Sequence, residues 1–370
     1  MKNETVYIGV DVDDQAFHGY AIREGAREGT AFKCRPNAGH LSKKLEEFKG
    51  EHVSVKICYE ATYLGYSLQR DLAARGWECE VIAPSLIPIV PGQKVKTDKI
   101  DSKKLAIYYM KGELTVVHIP SVREESVRDL IRTRHFLVDQ LKGLKAHVLS
   151  MFRRMGYSYR EGERSKRSHW TPAHIEWMER RVAEMPERHQ QMSMYMLLEQ
   201  IQKVTELVRL YEEEIENLGK GAAYEGKVKA LRCYRGIDTL TAMTLISELG
   251  DIRRFDHPGR VVSYAGFDLK EYSSGGREIR MGISKMGNRH IRTSSIEACQ
   301  QAYKAPRVSK QLRERREGVE QRFVDIADRC MNRLYKKSCR MHMNGKHRNK
   351  IKTACAREML CFVWETLRAA

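Results

Sequence analysis

No stretch of about eighteen consecutive apolar residues occurs in this 370-residue chain, so nothing in it reads as a membrane-spanning helix. Met1-Lys2-Asn3-Glu4 leads straight into a strand-like run, without the apolar core and cleavage site of a secretory leader. Together these absences set a cytoplasmic protein as the expectation. There is no C-x-x-C pair, and the nine cysteines are odd in number and scattered, which argues against a disulfide framework. Neither a G-x-G-x-x-G run nor a Walker loop is present, so an ordinary nucleotide-binding domain would lack its phosphate cradle. One group, Cys330, Cys339, His342 and His347, has the residue types of a zinc site. Its spacing matches no standard finger, and Lys336, Lys337, Arg340 and Lys346 surround it, so a basic segment facing nucleic acid is the better reading.

Positive charge is what the chain has in excess. Sixty-six Lys and Arg against 48 Asp and Glu give a net charge of +18. A surplus of that size points to a polyanionic partner, most simply nucleic acid, although an anionic membrane surface would satisfy the charge as well. The length allows two or three domains, each with its own core.

The chain opens on Thr5-Val6-Tyr7-Ile8-Gly9-Val10-Asp11, an alternating apolar run that predicts a buried strand ending on a carboxylate. Val53 to Tyr59 repeats the pattern and ends on Glu60. Asp98 and Asp101, three residues apart at the start of a helical pattern, would share one helix face. Taken singly, each acid is compatible with a surface ion pair, for Lys96, Lys99, Lys103 and Lys104 flank the last two. Jointly, four carboxylates at two strand ends and one helix start of a single α/β unit suit a Mg²⁺ cage, since hard divalent ions take oxygen ligands and assist phosphodiester chemistry. Between these acids the pattern predicts a hairpin partner at 17–22, helices at 41–48 and 64–75, and a strand at 80–84, the outline of an RNase H-like domain.

From Val122 the period changes. Leu130, Leu137, Leu141, Leu144, Val148 and Met151 trace one apolar stripe. Leu197, Ile201, Val204, Val208, Tyr211, Ile215 and Leu218 trace a cleaner one, a coiled-coil seam that two helices could form within one chain or, the slightly preferred reading, across a dimer. The connector between them carries Arg153, Arg154, Arg160, Arg164, Lys166 and Arg167, interleaved with Tyr157, Tyr159 and Trp170. Cations for phosphates and aromatics for unstacked bases suit a nucleic-acid contact; a solvated linker is the plainer alternative. Arg235 to Ala242 is similar to a helix-hairpin-helix turn, but Asp238 stands where a second glycine is expected and opposes phosphate. Further on come Ala265-Gly266-Phe267, Tyr272-Ser273-Ser274-Gly275-Gly276, Arg280, and Ser284-Lys285-Met286-Gly287-Asn288-Arg289. Glycines let backbone approach a phosphodiester, Arg280, Lys285 and Arg289 would neutralise it, and a serine sits in the flexible turn.

The order of these blocks resembles the DEDD-type insertion-sequence transposases, relatives of the pilin-gene-inverting recombinase, over nearly the whole chain. The resemblance implies an α/β plus α architecture. Residues 1–115 would be an RNase H/RuvC-like domain, 120–225 a helical coiled-coil spacer with a basic connector, and 226–370 a mostly helical transposase domain with a serine loop. It makes Asp11, Glu60, Asp98 and Asp101 the metal-binding tetrad for Mg²⁺ (or Mn²⁺). Ser274 becomes the nucleophile, with Ser273 the register alternative. It further implies DNA cut and rejoined through a phosphoserine, and a structured guide RNA from the element pairing with element ends and target. Recombination on more than one strand makes a homo-dimer or tetramer the expectation, and the want of a long apolar run no membrane partner. Two rivals stay open: a RuvC-like nuclease hydrolysing DNA with the carboxylates alone, and a non-catalytic scaffold. The basic segment 307–352 matches no motif, and its role rests on charge.

Overall fold

The computed structural model describes residues 4–88, 98–160, 168–274 and 277–370, with backbone alone for 98–99, 271–274 and 277–280. By its contacts the chain divides into two compact units, Met1–Pro120 and Ser121–Ala370. The first is mixed α/β; the second is mostly helical.

In the first unit, β1 (Glu4–Val12), β2 (Phe17–Arg23) and β3 (Thr30–Cys34) form an antiparallel meander. Helix α1 (Ala38–Glu46) then leads to β4 (Val53–Glu60), which joins the other side of β1 in parallel, and α2 (Ser67–Ala74) leads to β5 (Glu78–Ile82), parallel to β4. The sheet order is β3-β2-β1-β4-β5. Strand β3 was not legible in the sequence, being short, largely exposed and without alternation. As a central strand β1 is covered on both faces, which is why its sequence is almost continuously apolar. Val6, Ile8, Val10 and Val12 join Val55, Ile57, Tyr59 and Val81 under Leu41 and Leu45 of α1 and Leu68 and Leu72 of α2. The opposite face carries Tyr7, Gly9 and Asp11 beside Lys56, Cys58 and Glu60, because strand side chains alternate and Gly9 pairs with Cys58. Helix α3 (Asp98–Met110) covers that face, with Leu105 packed on Cys58 and Ile82. The free edge of β5 is blunted by the segment around Val116, whose neighbours Thr115 and Val117 bond the backbone of Ala83 and Val81.

The second unit starts with α4 (Val122–Arg154), opened by a capping box in which Ser121 and Glu124 satisfy each other's backbone N–H groups. Next come α5 (Pro172–Ala183) and α6 (Arg188–Lys220). Val127 and Ile131 of α4 share a core with Ile215 of α6, whereas Val148 and Phe152 share one with Met194 and Ile201, so the two long helices run antiparallel within one chain. Helix α7 (Glu225–Arg232) precedes α8 (Thr239–Leu249), in which every residue from Ala242 to Leu249 is buried. Helix α8 packs against α4, α6, α7 and α10 (Arg289–Ala298); α13 (Arg348–Ala369) packs against α9 (Pro258–Tyr264), α10 and α12 (Gln321–Met343), with the short α11 (Lys310–Arg316) beside α7. Between α9 and α10 a two-stranded antiparallel ribbon stands out from the helices: β6 (Leu269–Ser274) and β7 (Arg277–Ile283). Among the described residues no helix is long and apolar enough to cross a membrane.

Candidate functional site

Gly9 decides where the first unit's carboxylates stand. A Cβ added there would lie 2.4 Å from the Ala106 nitrogen and 2.5 Å from the Ser102 oxygen, so α3 rests directly on β1 where β1 has no side chain. Tyr7, two residues earlier on β1, meets Tyr109, later on α3, edge to face at 5.5 Å. The helix therefore runs antiparallel to the strand, and its first turn lies at the carboxyl end of β1. That first turn carries Asp98 and Asp101, and Asp11 and Glu60 occupy the carboxyl ends of the neighbouring strands on the α3 face. Asp11, Glu60 and Asp101 are half-buried; the Asp98 side chain lies outside the described residues. A helix N-terminus favours carboxylates at such a place. The donor set is oxygen only, which fits a hard divalent cation. Among the described residues no three His, Cys, Asp or Glu are gathered closely enough to hold an ion. Beside this end, the Tyr63 hydroxyl donates to Asp14 at 2.7 Å, and that hydrogen bond pushes the phenol up to about 12.

In the second unit Ser274 is the last residue of β6, paired with Arg277, and Ser273 pairs with Glu278. The serine thus ends a paired strand and not, as expected, sits within a loose loop. Glycine signals in the sequence mask a ribbon; Gly275 and Gly276, between its two strands in sequence, lie outside the described residues. The ribbon's root is interlocked. Gly266 (φ +70°) and Gly287 (φ +150°) meet back to back: a Cβ on Gly287 would lie 2.4 Å from the Tyr264 oxygen and 2.7 Å from the Gly266 nitrogen. Ser284 N donates to Asp268 O at 2.6 Å, Lys285 N to Gly266 O at 3.0 Å and Asn288 N to Tyr264 O at 2.7 Å. The Ala-Gly-Phe and Ser-Lys-Met-Gly-Asn blocks are the two halves of this junction.

Beneath it lies a carboxylate the sequence reading passed over. Glu248 of α8 is fully buried. Arg132 of α4 grips it with two hydrogen bonds of 2.7 and 2.8 Å, and the Asn288 amide donates to it at 2.6 Å. Burial alone would push this carboxyl up; the Arg132 hydrogen bond and charge, with the Asn288 amide, outweigh it and hold it below the usual carboxylate range. An acid in an otherwise apolar helix, Thr-Leu-Thr-Ala-Met-Thr-Leu-Ile-Ser-Glu-Leu, is the signal that a buried partner exists.

Residues 228–314, from α7 through the ribbon to α11, match the model of the transposase IS116/IS110/IS902 family, and residues 8–156 match a DEDD transposase model of the IS110 group. A putative transposase, y4qE, of Sinorhizobium fredii is 31% identical, over 98% of this chain and 89% of its own length. The chain belongs to the IS116/IS110/IS902 transposase family. The transposase for element IS1533 of Leptospira borgpetersenii is 26% identical over 91% of this chain and 96% of its own length. That for IS1111A of Coxiella burnetii is 23% identical over 78% and 75%. The chain is accordingly a DNA transposase, acting by cutting and rejoining DNA.

The transposase's predicted nucleic-acid contacts are distributed unevenly. Arg153 and Arg154 are exposed in the last turn of α4, where cations also suit the helix dipole, and Arg160 is exposed just beyond. Arg164, Lys166 and Arg167 lie outside the described residues, as does the Arg280 side chain on β7. Lys285 is exposed with φ of +58°, and Arg289, exposed at the start of α10, stands 3.6 Å from Asp139. Of the connector's aromatics, Tyr159 is buried and Tyr157 and Trp170 are half-buried. Tyr159 is buried against His174 and Trp177, Tyr157 packs edge-on to Phe152, and Trp170 meets His174, because these rings build the core under α5.

At the helix-hairpin-helix-like turn, Asp238 caps α8 by accepting from Thr241 N at 2.8 Å, so the protein's own carboxylate fills the place a phosphate would take. Much of the charge in 307–352 is engaged at home. Arg316 bonds Cys233 O and Asp328, Lys337 and Arg333 share Glu358, and Arg329 pairs with Glu365. Cys330 is buried in the core, whereas Cys339 and His342 line a cavity of about 390 Å³ with Tyr303, Arg348 and Lys352.

Proposed function

We propose that this transposase exchanges DNA strands through a phosphoserine formed on Ser274, assisted by the carboxylates Asp11, Glu60, Asp98 and Asp101. The observation that carries this reading is the meeting of two strand ends and the start of α3 on one face of a β3-β2-β1-β4-β5 sheet. That strand order, antiparallel then parallel, supports an RNase H/RuvC-like assignment for residues 1–115. Residues 120–225 would then be the spacer and 226–370 the serine-bearing domain.

In the proposed reaction the Ser274 oxygen bonds to the scissile phosphorus while the bond from phosphorus to one deoxyribose oxygen breaks. The serine proton leaves to solvent or a nearby base, and the departing oxygen gains one. One phosphodiester replaces another, so rejoining by a new strand's hydroxyl needs no nucleotide triphosphate. A Mg²⁺ or Mn²⁺ ion, when bound by the four carboxylates, supplies charge neutralisation at the phosphate oxygens. The acids hold and orient that charge, and the exposed Arg153, Arg154, Arg160, Lys285 and Arg289, with Arg164, Lys166, Arg167 and Arg280, position the nucleic-acid backbone. The surplus of +18 supports a second polyanion beside DNA, a structured guide RNA recognised by shape while base pairing reads sequence. A homo-dimer or tetramer would bring together the several strands that exchange requires.

The deciding experiment incubates the protein with Mg²⁺, element-end DNA and RNA transcribed from the element flanks, and looks for a denaturant-resistant protein–DNA adduct. The adduct should require the RNA, the metal and Ser274, and should vanish in Ser274→Ala, Asp11→Asn and Glu60→Gln while DNA binding stays within about threefold. Cleavage without an adduct would replace this reading with the hydrolytic nuclease.

A further inference from the structure

Leu269 and Met281, on the two strands of the ribbon that carries Ser274, are both about half exposed. The ribbon's direction is therefore set at its root. Three contacts converge there. The Asn288 oxygen caps α10 by accepting from His290 N and Ile291 N at 2.9 and 3.1 Å, its backbone N–H holds Tyr264, and its amide donates to Glu248. Glu248 is in turn fixed by the Arg132 fork from α4, so one buried carboxylate joins the ribbon's exit to two helices of the core. A carboxylate with no exposure, held by three hydrogen bonds to charged and amide donors, is a stiff joint, since no water competes for it. At about 3.3 Å per residue, Ser274 stands roughly 16 Å from Leu269, so a small rotation at the root becomes a displacement of ångströms at the serine.

We propose that Glu248 and Asn288 are positioning residues that aim the serine ribbon. This rests on the reading of Ser274 as nucleophile, but the joint can be tested separately from it. Asn288→Asp is the informative substitution. Asp caps a helix as well as Asn, so the α10 cap survives, while a carboxylate replaces the amide that donates to Glu248 at 2.6 Å. Combining it with Glu248→Gln removes the repulsion and lets the new amide donate to the new carboxylate, remaking the Asn288 link with its polarity reversed while Arg132 keeps one of its two hydrogen bonds to residue 248.

The experiment replaces Met281 on β7 with trifluoromethyl-phenylalanine and reads the ¹⁹F line width of the full-length protein, alongside single-turnover adduct formation at saturating DNA and helical circular dichroism. Asn288→Asp should narrow the fluorine line and slow adduct formation at least roughly tenfold, with DNA affinity and the helical signal unchanged. Adding Glu248→Gln should recover a clear part of both, the Arg132 fork being left with one of its two hydrogen bonds. An Asn288→Asp protein with unchanged line width and rate would overturn the inference, since only the cap would then matter. So would a defect that Glu248→Gln does not relieve, or loss of the whole helical signal, because the link would then hold the core and not the ribbon. If wild-type protein formed no adduct, the nucleophile reading would fall, and the fluorine arms would still decide the joint.

Discussion

His135 and His174 show what burial does to single side chains here. His135 stacks on His290 with ring centroids 5.1 Å apart, and burial, with the charges of His290 and Arg134, lowers its pKa from 6.5 to about 4. His174, fully buried, accepts from Trp170 N at 2.9 Å and is lowered to about 4 by burial and by His169. Both are neutral when folded and charge readily when unfolded. The unfolded chain therefore binds more protons between the two pKa values, and stability falls as pH drops from 6.5 towards 4. The melting midpoint should be level above pH about 7 and decline steadily below 6.5, and His135→Phe should flatten part of that slope; a midpoint indifferent to pH across this window would refute the assignment. At this scale the sequence was informative where a residue's neighbours are its sequence neighbours. Asp11 and Glu60 announce themselves by closing apolar strands. Glu248 signals only that some partner exists; which one is not legible locally, because Arg132 lies 116 residues away and Asn288 40.

Elements were legible in proportion to their period. Strands β1 and β4 and the long helices α4 and α6 follow from alternation of two and from spacing of three and four. Strand β3 and the serine ribbon did not follow, the first because it is a short exposed edge and the second because glycine and serine usually mark loops. The start of α3 at Asp98 was expected, but the reason it lies against β1 is a single missing side chain. Gly9→Ala would press a methyl into the backbone of Ala106 and Ser102 and lift α3 from the sheet. We expect it to cost about 1–3 kcal/mol, the range for overpacking, and to reduce adduct formation far more than DNA binding. Gly143→Ala on α4 meets nothing within 4 Å and should stabilise by about 0.5–1 kcal/mol, as alanine does in a helix interior. Thermal melts of the two variants check both signs, and a destabilising Gly143→Ala or a neutral Gly9→Ala would contradict the packing described.

For the whole molecule, the formal surplus of +18 is not all turned to a nucleic acid, because Arg235, Arg315 and Arg316 are spent on backbone carbonyls. Binding should still weaken at least roughly hundredfold between about 50 and 200 mM salt, with a slope corresponding to fewer phosphates than the net charge. Fluorescence anisotropy across that range measures the slope directly, and a flat response would remove the electrostatic footprint. The charge and length announced two or more domains and a polyanion; that the long helices share their core with α8 follows only from contacts distant in sequence. The junction of Gly266 with Gly287 has a further consequence. Because the backbone enters and leaves the ribbon through the same point, with Asp268 and Ser284 already hydrogen-bonded, everything between them hangs from a closed socket. What lies between them can therefore be altered without the helices being asked to repack.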